Sequence, residues 1–110
     1  MKHSLTLLLL LLSTIAYSQT PITDDNFRSA ISDCLSFDPV NGNCVESEYG
    51  PIFDWDVSNV TYMTSAFENA SAFNQDLTSW CVTNIAAEPA NFGIISALTN
   101  ANKPVWGTCP

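Results

Sequence analysis

The chain states one phrase twice. Residues 55–60 read "WDVSNV" and residues 80–85 read "WCVTNI", with their Trp residues 25 positions apart. Laying 52–76 over 77–101 pairs Ile52 with Leu77, Trp55 with Trp80, Val57 with Val82 and Ser58 with Thr83. It also pairs Asn59 with Asn84, Val60 with Ile85, Phe67 with Phe92 and Phe73 with Leu98. The matched positions are mostly large and apolar. A period in the twenties marks a unit that cannot bury its apolar face alone and must stack on a neighbour. The repeat therefore predicts a short solenoid of about two coils. The paired Asn residues fit that geometry, because an Asn amide can bond its own bend and the next coil where no ladder reaches. Asn59-Val60-Thr61 and Asn69-Ala70-Ser71 also have the form of glycosylation sequons. At Asn59 the structural role is the preferred reading.

The segment before the repeat reads differently. Phe27, Ala30, Ile31, Cys34 and Leu35 recur at helical spacing. Thr23 is a suitable N-cap, and Asp24 and Asp25 suit the positive end of the helix dipole. A helix over 24–35 is expected. Pro39, Asn41-Gly42 and Gly50-Pro51 then punctuate a loop. Asp38, Asn41 and Asn43 fail the register of a calcium loop, since Gly42 at the sixth position would put Phe37 at the first. A turn is the preferred reading.

The chain opens Met1-Lys2-His3-Ser4, continues as an apolar run over Leu5–Leu12 and reaches Ala16-Tyr17-Ser18. That is the pattern of a secretory signal cut after Ser18. The run is shorter than the roughly 20 residues that span a bilayer. A secreted or cell-surface product without membrane insertion is expected. The chain from residue 19 onward carries eleven acids against Arg28 and Lys103, a net charge of −9. Nucleic-acid binding requires a basic face and is excluded as a partner class. Cys34, Cys44, Cys81 and Cys109 are even in number, as in exported disulfide proteins. Three pairings are open. Cys34–Cys44 with Cys81–Cys109 is favoured because each bridge then closes a loop within one half of the chain. Absence of a Cys-x-x-Cys pair argues against zinc.

No catalytic constellation emerges. His3, the lone histidine, leaves with the signal, so Ser–His and Cys–His systems lack a base. Three carboxylate pairs, Asp54/Asp56, Glu46/Glu48 and Asp24/Asp25, lie too close in sequence to flank a substrate cleft. A non-enzymatic protein without cofactor or metal is expected. Trp55, Asp56, Asp76 and Trp80 form the candidate binding face. Trp55 and Trp80 read first as a half-buried stacked ladder, with Trp106 as a third aromatic. The acids Asp54, Asp56 and Asp76 read as a solvated face in preference to a calcium site between coils.

"WDVSNVTYMTSAFENASAFNQDLTSW" resembles one unit of the BspA-like leucine-rich repeat surface proteins, with Treponema-type repeats. Trp55, Asp56, Val57, Ser58, Val60, Thr61, Met63, Phe67, Ala70, Phe73, Asn74, Asp76, Leu77 and Trp80 carry the resemblance, and Ala66 departs from it. "ITDDNFRSAI" and "NANKPVWGTCP" are similar to the opening and closing segments of short secreted members. The resemblance implies an α/β leucine-rich-repeat solenoid, with Val60–Phe67 helical, Phe73–Leu77 strand-like, helix 24–35 as one cap and the Cys81–Cys109 region as the other. The expected organisation is a signal over 1–18, a helical cap and loop over 19–51, and repeats with a C-terminal cap over 52–110. The implied function is a secreted or surface binding and adhesion module for an extracellular protein or glycan. The alternative is a truncated repeat unit that self-associates.

Overall fold

The computed structural model describes residues 20–110, so the expected signal segment lies outside the described residues. The repeat folds through turns and two short 3₁₀ helices, Ile52–Asp54 and Asn100–Asn102. In each of the segments 52–55, 57–60, 77–80 and 82–85, the N–H of the fourth residue donates to the carbonyl of the first, at 3.2, 2.9, 3.1 and 3.0 Å. Both ends of every turn are apolar and buried: Ile52 and Trp55, Val57 and Val60, Leu77 and Trp80, Val82 and Ile85. Apolar residues thus alternate in steps of three and two. That spacing matches neither the 3.6-residue period of a helix nor the two-residue period of a strand. Met63, Phe67 and Phe73 continue the first unit's core, and Phe92 and Leu98 the second's.

The two units, 52–76 and 77–101, stack in the register read from the sequence. Ser65, Phe67 and Asn69 donate their N–H groups to the carbonyls of Ala90, Phe92 and Ile94, at 3.0, 2.8 and 3.0 Å. Leu77, which opens the second unit, donates to Asn102 of the C-terminal segment at 2.8 Å. These bonds do not create a sheet. Ser65, Asn69, Asn91 and Ile95 have φ of 59°, 66°, 57° and 56°, which breaks the extended path a strand needs. The expected α/β leucine-rich-repeat solenoid is therefore overturned. Among the described residues there is one α-helix and no strand; Val60–Phe67 is not helical, and Phe73–Leu77 is not a strand.

The helix, α1, spans Phe27–Phe37 rather than 24–35. The later start has a local cause. Asn26 Oδ1 accepts the N–H of Thr23 at 2.8 Å and its Nδ2 donates to Pro21 O, so its amide fixes an entry turn over 23–26. Asp24 is turned away to the repeat, where its carboxylate accepts the N–H and hydroxyl of Thr61 at 2.8 and 2.6 Å. Phe27, Ala30, Ile31 and Cys34 are buried, as the stripe predicts. Phe27 meets the edge of Trp80 with centroids 6.0 Å apart.

Both bridges form as favoured, Cys34–Cys44 and Cys81–Cys109. Small domains bury a low share of their surface, and each bridge adds roughly 2–4 kcal/mol by restricting the unfolded chain. Residues 38–44 form the expected turn. Asp38 accepts the N–H groups of Asn41 and Asn43 through its two carboxylate oxygens. Gly42 has φ of 59° and packs so closely on Ile52 and Phe73 that a Cβ would stand 3.0 Å from each. Its carbonyl accepts the N–H of Ile52 at 2.9 Å, which ties the turn to the first unit. The C-terminal segment runs along the second unit, with Val82 N–H donating to Thr108 O at 2.8 Å and Trp106 set edge-on to Phe92. No helix among the described residues is long and apolar enough to cross a membrane.

Candidate binding surface

The four residues of the candidate face separate by depth and by cleft. Trp55 and Trp80 lie parallel, with 9° between their planes and 6.4 Å between centroids, and are 4% and 1% exposed. Their indole N–H groups donate to Gly50 O and Ile52 O, both at 2.9 Å. Buried aromatic residues with satisfied polar handles build the core. The stacked ladder is present, but deeper than half-buried, and it offers no aromatic platform to solvent.

Asp56 and Asp76 are exposed and do not share a cleft. Asp76 lines a shallow cleft of about 350 Å³ with Phe53, Asp54, Gln75 and Ser79. Asp56 lines a separate one of about 200 Å³ with Tyr49, Trp55 and residues 20–22. Each carboxylate closes its own turn. Asp56 Oδ1 accepts the hydroxyl and N–H of Ser58 at 2.6 and 3.0 Å, and Asp76 Oδ1 those of Thr78 at 2.6 and 2.9 Å. Hydrogen bonds from the hydroxyl first, and from the N–H second, hold both groups below the ordinary carboxylate value. Thr61 does the same for Asp24. These are fixed anions, the opposite of the raised pKa that a general acid needs. Among the described residues, no group of three His, Cys, Asp or Glu side chains is placed to hold a metal ion.

Of the two paired Asn residues, it is Asn84 that bridges the units, its Nδ2 donating to Ser58 O at 2.8 Å; Asn59 is, like it, exposed. Asn74, named in the sequence only as a motif position, has a bridging role: its Oδ1 accepts the N–H of Thr99 and the amide of Asn102, at 2.9 and 3.0 Å. The 25-residue spacing from Asn74 to Thr99 is the signal that marks it.

A second surface lies at the first disulfide. Phe37 is 76% exposed and Val45 74%. Asp33, Cys34, Phe37, Cys44, Glu46 and Ser47 line a cleft of about 270 Å³ there. The sequence carries no mark of it, since Phe37 looks like the buried phenylalanines and only tertiary placement exposes it.

No curated protein and no solved structure matches the chain. The family model that matches spans residues 43–106, more than half of the chain, and takes in both units of the repeat. It is not a BspA-like leucine-rich repeat model, so the resemblance drawn from the sequence is corrected in both family and fold. The chain belongs to the family described as "Mycoplasma protein of unknown function, DUF285".

Proposed function

We propose that the chain is a non-catalytic binding module, secreted or held at the cell surface, that contacts an extracellular protein or glycan. One observation carries the reading. Most large apolar side chains of the repeat are buried in the core, Tyr62, Ile94 and Ile95 excepted, while Phe37, Val40 and Val45 stay exposed around a segment pinned by Cys34–Cys44. Exposed apolar surface on a rigid, anionic protein is the material of an interface. The lowered carboxylates of Asp24, Asp56 and Asp76 do not suit a general acid, which supports the non-catalytic part. The test is the disulfide-intact chain on immobilised extracellular-matrix proteins and a glycan array, beside glycosidase, esterase and protease substrates. Saturable binding without turnover is expected. Turnover abolished by replacing one carboxylate, or absence of binding throughout, would overturn the reading.

Self-association has its own support. Phe92 and Ile94 N–H, the equivalents of groups that bridge the units at Phe67 and Asn69, turn back onto their own unit at 3.2 and 3.4 Å. Ile94 and Ile95 are exposed beside them. Mass by light scattering across concentration reads this edge directly; a constant monomer mass would discard it.

A further inference from the structure

We propose that the apolar cleft at the Cys34–Cys44 bridge docks a basic amphipathic peptide segment of a partner protein, seating a large apolar side chain against Phe37 and the disulfide while Lys or Arg residues meet the surrounding acids. The inference rests on the binding-module reading and names its partner.

Three features converge. The first is an apolar anchor: Phe37 and Cys44 line the cleft, and Val45 stands between the lining residues Cys44 and Glu46. The cleft thus has an exposed aromatic wall, with a second exposed apolar residue, Val45, next to it along the chain. The second is rigidity. The disulfide, the Asp38 bonds to Asn41 and Asn43, and the Gly42–Ile52 bond hold the segment, so docking orders little new backbone.

The third is charge. Asp33 and Glu46 line the cleft, and Glu48 stands two residues further along the chain. Both cations of the described residues are engaged elsewhere. The Arg28 guanidinium donates to Thr64 O and lies over the Tyr62 ring, and Lys103 pairs with Glu88 at 2.8 Å. The acids at the cleft are therefore uncompensated, and such a field steers a basic partner into place. An anionic membrane surface is repelled by the same field.

The test uses three twelve-residue probes with the disulfide-intact chain: an alternating Leu/Lys peptide, a Leu/Glu peptide and a Ser/Lys peptide. Binding is followed by amide chemical shifts at low and high salt. The Leu/Lys peptide is expected to bind, to shift residues 33–47, and to weaken about tenfold in F37S/V45S and with added salt. D33N/E46Q is expected to reduce both affinity and salt dependence. Equal binding of Ser/Lys and Leu/Lys, or F37S/V45S binding as the parent does, would overturn the proposal. So would failure of Leu/Lys to bind while the chain still binds a matrix protein or glycan, which leaves the module reading standing. Both substitution pairs lie at exposed or rim positions, and unchanged melting temperatures confirm that a loss is not unfolding.

Discussion

Trp80 reaches across the stack to Ile52: its indole N–H donates to that carbonyl at 2.9 Å while its ring lies parallel to Trp55. The contact joins the two units through hydrogen bonding and ring packing together. Phe27 and Phe67 close on the same ring, at centroid distances of 6.0 and 6.1 Å. Trp80 is therefore where the helix and both units meet.

Replacing Trp80 by Phe keeps an aromatic ring but removes one of the two donors to Ile52 O, which retains the Trp55 N–H. A loss of about 0.5–1.5 kcal/mol is expected from the missing hydrogen bond. W80A adds a cavity and should cost about 3–5 kcal/mol, enough to leave so small a domain largely unfolded. Urea titrations of the two variants check the order.

The two bridges should differ in where they act. Removing either one costs roughly 2–4 kcal/mol. Cys81→Ser with Cys109→Ser should also release the C-terminal segment, speeding exchange of the Val82 amide that donates to Thr108 O. Cys34→Ser with Cys44→Ser should leave that amide slow. Amide exchange under native conditions separates the cases.

Backbone handedness gives two predictions of opposite sign. Gly42→Ala places a Cβ in a left-handed turn against Ile52 and Phe73, and should destabilise by at least about 1–2 kcal/mol. Ile95 is β-branched, exposed and left-handed at φ 56°. Ile95→Asn should gain roughly 1 kcal/mol, since Asn tolerates that region better. Thermal melts of a domain this size shift by about 4–8 °C per kcal/mol.

Acid should loosen the protein through three aspartates. Asp24, Asp56 and Asp76 are lowered from the ordinary value of 3.8 by their Thr61, Ser58 and Thr78 hydrogen bonds. A depressed carboxylate contributes stability that is present above its unfolded pKa and lost as pH falls through its folded one. Melting temperature should hold down to about pH 4–5 and decline below about 3.8. D24N/D56N/D76N should flatten that decline, in melts run across pH at fixed salt.

How much of this was legible is uneven, for physical reasons. The 25-residue register, the buried positions from Ile52 to Leu98 and the favoured disulfide pairing follow from apolar spacing and from which loops each Cys pair would close. The α/β expectation came from the family resemblance and not from the repeat's own spacing. The spacing of three and two in 52, 55, 57 and 60 points instead to linked turns. Left-handed φ at Ser65 and Ile95 is invisible in residue types that rarely adopt it. Asp24 was read locally, as a partner of the helix dipole, when its hydrogen bonds lie 37 residues away at Thr61. The candidate face failed to assemble as one surface for a similar reason. Trp55 and Trp80 pack in the interior, Trp55 touching only the Asp56 cleft, while Asp76 opens onto a different one.

The most direct test of the stacked-turn account is hydrogen exchange at the amides of Phe67, Leu77 and Val82, which donate to Phe92, Asn102 and Thr108 across the stack. The account predicts that all three exchange slowly in the disulfide-intact chain, and that all three become fast in W80A. Exchange of these amides at unfolded-chain rates in the intact protein would contradict it.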